Sequence, residues 1–282
     1  MSTAENDAQI INAEMPDVPL HAPSKINLKD YQKPSFDVET VSLDIKLFED
    51  HAQVDSTLKM VRQGAGDIVL FGEDLELLAL MMNGKALTAQ HYELSAGKLT
   101  IGDAPDEVTL ALQVRICPQT NTALEGFYRA GSGDETMFVT QCEPEGFRKI
   151  TFYPDRPDVL AIFTTRLEAD KRYPTLLANG NLVESGEMID TPNRHYAIWH
   201  DPTNKPSYLF ACVVADLDVL ADSYTTSEGR EVLLEVYAKS ADIDKCDVGM
   251  QALKDSMQWD EVNYGRAYDL DRYMIVAVSQ FN

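Results

Sequence analysis

The stretch Val41-Ser42-Leu43-Asp44-Ile45-Lys46-Leu47 alternates apolar and polar residues without a break, and Val54, Ser56, Leu58 and Met60 resume the period of two beyond Glu49-Asp50-His51. Successive side chains of a strand point to opposite faces, so this pattern predicts a β-hairpin that buries one face and wets the other. Working outward, further strand signals recur at short intervals: Ile68 to Phe71, Leu75 to Met81 before an Asn83-Gly84 turn, Leu99 to Ile101, and Val108 to Ile116. A second β group runs from Phe138 through Ile150 to Phe152, then Val159 to Leu167, an Asn179-Gly180 turn, Tyr196 to Trp199 and Tyr208 to Val214. Many short strands separated by turn residues predict a sandwich or a curved, saddle-like sheet, and this region carries no amphipathic helical period.

The character changes near Asp216. Val232, Leu234 and Val236 read as one more strand, whereas Cys246, Met250, Leu253 and Met257 fall at helical spacing with Gly265 as a stop signal. The apolar run Met274-Ile275-Val276-Ala277-Val278 follows. A strand, a helix and a strand predict the opening of an α/β domain, which at about 65 residues with one helix buries too little surface to stand alone. At the other end, residues 1–30 are polar, carry Pro16, Pro19 and Pro23, and show no sustained period. They read as a mobile arm. The organisation expected is therefore an arm over 1–30, a β-rich domain over 31–216, and an incomplete second domain over 217–282. The fold class is mainly β.

Composition bounds the function. The formal charge of -22, from 46 Asp and Glu against 24 Lys and Arg, removes the clustered positive charge that nucleic acids and anionic membranes require. It favours solubility and, more weakly, a cationic ligand such as an ammonium group. No secretory signal opens the sequence, and the longest apolar runs, Leu209 to Ala215 and Met274 to Val278, fall far short of the roughly 20 residues that span a bilayer. The four cysteines, Cys117, Cys142, Cys212 and Cys246, have no C-x-x-C spacing and suit free thiols in a reducing cytoplasm.

Candidate chemistry is sparse. His195 and His200 lie five apart across the strand-like Tyr196-Ala197-Ile198-Trp199, and an odd separation sends them to opposite faces, where one ion is not readily shared. His21, His51 and His91 have no partner at ligand spacing, so no metal site is expected in these residues. The motifs of serine hydrolases, nucleotide hydrolases and dinucleotide enzymes are missing. What remains is Thr140-Gln141-Cys142-Glu143-Pro144-Glu145-Gly146-Phe147-Arg148. If Val139 to Glu143 is extended, Gln141 and Glu143 share one face while Cys142 turns into the packing. An amide oxygen beside a carboxylate suits a primary ammonium, which donates hydrogen bonds and accepts none. On spacing alone, an exposed polar strand face is the better account of the pattern.

That segment, with Asn121-Thr122-Ala123-Leu124-Glu125-Gly126-Phe127-Tyr128 before it and Tyr153-Pro154-Asp155-Arg156-Pro157-Asp158-Val159-Leu160 after it, resembles the amino-terminal region of the bacterial aminopeptidase N family of zinc metallopeptidases. Leu177 to Asn181, Thr225 to Val232 and Tyr268 to Val278 extend the resemblance, which covers about Tyr31 to Asn282. It implies a saddle-like β domain followed by the start of a thermolysin-like catalytic domain. It implies that Gln141 and Glu143 bind the α-amino group of peptide substrates with a free N-terminus. It implies zinc in the full-length enzyme, held through H-E-x-x-H and accompanied by G-A-M-E-N, both expected beyond Asn282 in the missing catalytic and C-terminal domains. No catalytic residue and no metal ligand is then expected within these residues, which alone should not hydrolyse peptides. Two other readings stay open: a non-catalytic β-sandwich binding module that keeps the fold, and a relative with another hydrolytic activity, since the wider family includes an epoxide hydrolase.

Overall fold

A computed structural model describes residues 27–279 and Phe281. The 1–30 arm lies almost wholly outside these residues, and of it only a short 3-10 turn at Leu28–Asp30 is described. Residues 34–282 group as one compact unit.

Among the described residues of that unit the strands form four sheets. The largest has eight strands in the order β13 (Asn181–Glu187), β14 (Arg194–Pro206), β11 (Leu160–Asp170), β1 (Phe36–Leu47), β2 (Ala52–Arg62), β8 (Glu107–Ile116), β4 (Glu76–Met82) and β5 (Lys85–Ala86). A second sheet runs β12 (Thr175–Ala178), β15 (Cys212–Ala215), β10 (Met137–Gln141) and β9 (Gly126–Ala130). A third contains β16 (Asp218–Thr225), β17 (Glu231–Ala238) and β18 (Arg272–Val276), and a fourth β3 (Ile68–Phe71), β7 (Lys98–Ile101) and β6 (Glu93–Ser95). The protein is mainly β, as its alternation predicts.

The opening hairpin is β1 paired antiparallel with β2, Leu43 opposite Ser56 and Ile45 opposite Val54. Val41, Leu43, Ile45 and Leu47 are each buried, while Ser42 is exposed and Asp44 and Lys46 are half-buried. The other edge of β1 pairs in parallel with β11, Leu43 against Thr165. The polar face carries its own order. Gln113 on β8 donates to Asp55 on β2 at 2.7 Å, which also accepts from Lys46 on β1 at 2.9 Å. Arg166 on β11 donates to Asp44 at 2.7 Å and Glu168 at 2.9 Å, and Arg194 on β14 donates to Glu168 at 2.8 Å. Charge therefore alternates across four adjacent strands, β14, β11, β1 and β2, with the neutral Gln113 of β8 closing the row, the favourable arrangement for cross-strand pairs.

From β16 onward a separate apolar cluster forms. The helix α1 (Asp247–Tyr264) lays Met250, Leu253 and Met257 against Val232, Leu234 and Val236 of β17. Gly265 ends it in the left-handed conformation at φ 61°, its N–H bonding the Glu261 carbonyl at 3.0 Å, as a helix-stopping glycine should. Cys246 sits at the cap position rather than inside the helix. Two expectations are corrected. The β group does not run on from Phe138 to Phe152: β10 stops at Gln141, and the chain turns through a 3-10 segment at Phe147–Lys149. The edge strand β16 is an addition, because it buries no residue along its length and so offers no apolar period.

Burial alone would raise the Glu168 and Asp55 carboxyls, but hydrogen bonds from Arg194 and Arg166 to the first, and from Lys46, Gln113 and Gln53 to the second, outweigh it and hold both below the usual carboxylate range. A depressed folded-state pKa adds stability that is complete above the unfolded-chain value of about 4 and disappears as pH falls through the folded-state value. Thermal unfolding followed from pH 7 downward should show Tm falling on the acid side, and Glu168→Gln should flatten that limb.

Candidate functional site

The site begins where β10 ends. Thr140 is buried, and its hydroxyl accepts the Cys212 N–H at 2.8 Å, fastening the end of β10 to β15. Gln141 is the last strand residue, paired with Gly126 on β9 and half-buried. Cys142 turns inward and is buried, as expected. The chain then folds back, with the Gly146 N–H on the Cys142 carbonyl at 2.9 Å. Glu143 therefore stands on a turn and not on an extended strand, which corrects the reading of Val139 to Glu143 as continuous β. The turn ties the two residues together through the backbone: the Glu143 N–H donates to Oε1 of Gln141 at 3.2 Å, and the Glu143 side chain is exposed. Glu143 lines a cavity of about 460 Å³ with Pro144, Asp155, Arg156, Pro157, Ser207 and Tyr208.

Two glycines make this turn possible. A Cβ on Gly146 would lie 2.3 Å from the Gln141 carbonyl oxygen and 2.9 Å from the Gly126 nitrogen. Gly126 itself sits at φ +71°, with the Lys149 Cβ only 2.6 Å from where its own Cβ would be. Only residues without side chains allow such an approach. Beneath the turn, Phe147 is fully buried and packs edge-on against Tyr153, Phe163 and Phe210 at centroid distances of 5.0, 5.9 and 5.2 Å.

The surrounding charges are already matched. Arg148 bonds Asp155 and Glu145, and Lys149 lies 3.0 Å from Asp74 and 3.3 Å from Glu73. Among the described residues no cation pairs with the Glu143 carboxylate. Burial pushes the Cys142 thiol well up and the Cys212 thiol up to about 12, so both stay protonated and serve packing rather than nucleophilic chemistry. The two strand histidines take separate partners, His195 the Tyr173 carbonyl at 2.8 Å and His200 the Thr164 hydroxyl at 3.0 Å. Among the described residues no group of three or more His, Cys, Asp or Glu is placed to hold a metal ion.

Residues 32–209 match the peptidase M1 N-terminal domain. The chain belongs to the peptidase M1 family. The chain is 45% identical over 262 residues to aminopeptidase N of Caulobacter vibrioides, covering 92% of this chain and 30% of that protein. Against aminopeptidase N of Escherichia coli the identity is 46% over 256 residues, or 90% of this chain and 28% of that protein. The solved structure of Legionella pneumophila aminopeptidase A in complex with aspartic acid superposes with a TM-score of 0.83 at 32% identity, over 90% of this chain and 30% of that one. The chain thus spans about three-tenths of the length of these relatives.

Asp155 and Ser207, which the structure places in the cavity wall, carry no signal of a role in composition or period. The proline-flanked Tyr153-Pro154-Asp155-Arg156-Pro157 was the visible hint, since such punctuation marks a shaped turn. Gly146→Ala should cost about 1–3 kcal/mol through crowding of the Gln141 carbonyl. The same change at Gly64, where an added Cβ meets nothing within 4 Å, should stay within about 0.5 kcal/mol. Urea unfolding of both variants checks the contrast.

Proposed function

We propose that this chain is the amino-terminal part of an aminopeptidase that releases N-terminal residues from peptides, and that Gln141 and Glu143 hold the substrate's α-amino group. The observation that carries the reading is the Glu143 carboxylate, which lines a cavity and pairs with no cation among the described residues, its backbone N–H held by the Gln141 amide oxygen, while the neighbouring Arg148 and Lys149 are neutralised by other acids. A primary ammonium has donors to spare and one positive charge, which is what this pair lacks.

The zinc implied for such an enzyme finds no donor set among the described residues, so these are assigned to binding and orientation, and bond breaking to the remainder of the parent protein. We place the boundary between the β domain and the start of the catalytic domain near Asp216, a reading supported by the separate apolar cluster of β17 and α1. The partners are peptides with a free N-terminus and the remaining domains. The acidic balance supports neither nucleic acid nor an anionic membrane as a partner, and four free cysteines support a cytoplasmic setting.

A hydrogen bond to a charged group contributes about 1.5–3 kcal/mol, so Glu143→Gln in the parent enzyme should lower kcat/KM for an alanyl anilide about 10- to 100-fold. Bound zinc should be unchanged. Wild-type activity in the variant would remove the assignment.

A further inference from the structure

We infer that Arg148, clamped to the buried carboxylate of Asp155, is a positioning residue that holds Glu143 in its amine-binding orientation; the inference rests on the amine-recognition reading above. Arg148 is five residues past Glu143 and its side chain is only 12% exposed. Its Nε donates to Oδ2 of Asp155 at 3.0 Å, and its backbone N–H donates to the same oxygen at 3.1 Å. One terminal nitrogen lies 2.9 Å from Glu145, and the guanidinium stacks 4.8 Å from the centre of the Phe71 ring. The side chain therefore grips the turn two residues after Glu143 and ties it to a different segment of the chain.

Asp155 is the fixed point of this clamp. Its side chain is 2% exposed, and it sits at φ 45°. Both oxygens are engaged, Oδ2 by Arg148 and Oδ1 by the Ser207 hydroxyl at 2.8 Å. A buried carboxylate is tolerated only with its partners in place, so its position is heavily constrained. Asp155, Ser207 and Glu143 all line the same cavity. The clamp thus sets the distance between the wall that carries Ser207 and the turn that carries Glu143. It also consumes the positive charge of Arg148, which would otherwise compete with an ammonium for Glu143. Lysine keeps that charge but has no planar fork with which to hold Asp155 and Glu145 together.

The test uses the full-length parent enzyme and two competitive inhibitors, L-leucinol and its amine-free counterpart 4-methyl-1-pentanol, with an alanyl anilide as substrate. In Arg148→Lys the advantage of leucinol over the alcohol should shrink by about 10- to 100-fold, the scale expected for a recognition group displaced by about 1 Å, and KM should rise more than kcat falls. Ser207→Ala should move the same ratio in the same direction by less, and it decides the matter if Arg148→Lys does not fold. A lower Tm with an unchanged inhibitor ratio would mean a purely structural clamp and overturn the inference. If Glu143→Gln erases the ratio and the clamp variants do not, the positioning claim alone fails. An unchanged ratio in Glu143→Gln overturns the amine reading and this inference with it.

Discussion

The apolar row on β1 has to be kept from water, and the arrangement of the large sheet follows from that need. Val41, Leu43, Ile45 and Leu47 stand on one side of a strand hydrogen-bonded along both edges, antiparallel to β2 and parallel to β11. Burying a Val, Leu or Ile side chain is worth about 1.5–3 kcal/mol, and a one-residue slip of register would turn all four toward solvent. Register is fixed by that penalty. The polar ladder from Gln113 to Arg194 then depends on register, because most of its bonds cross to a neighbouring strand.

The same logic, with a different constraint, makes the site. Where β10 ends, geometry passes from pleat to turn, and two glycines with no room for a Cβ bring residues 141 and 146 close to β9. Phe147 plugs the underside into an aromatic cluster, and Arg148 locks the far end to Asp155. A rigid turn of this kind can present a lone carboxylate at a cavity mouth without a built-in counter-ion. Loops positioned by a rigid scaffold are where binding residues concentrate.

The sequence shows some of this and hides the rest for identifiable reasons. The hairpin at Val41 to Met60 is legible because a half-buried antiparallel pair writes a period of two. The helix at Asp247 is legible because Met250, Leu253 and Met257 repeat at helical spacing and Gly265 stops it. The parallel pairing of β1 with β11 leaves no local trace, since its partners lie more than a hundred residues apart. Gln141 and Glu143 could be singled out as a pair of suitable chemistry, yet extension to Glu143 overran the strand. The strand gives way to a tight local turn, Gly146 closing on the Gln141 and Cys142 carbonyls, which a period of apolar and polar residues does not encode. Asp155 was hidden because its role depends on side chains meeting across turns, Arg148 from seven residues before it and Ser207 from 52 residues after it.

The parallel pairing has a consequence for how the chain is made. Asp44 and its partner Arg166 are separated by 122 positions, so β1 and β2 leave the ribosome before β8 and long before β11, the neighbour on the other edge of β1. Pairings so distant in sequence form slowly, because a long segment must be ordered before any contact repays it. Until β11 arrives, the edge of β1 that will receive it presents free N–H and C=O groups, a template for any other extended chain nearby. Emergence of residues 160–170, rather than completion of the opening hairpin, is what takes that edge of β1 out of reach of neighbouring chains on the polysome.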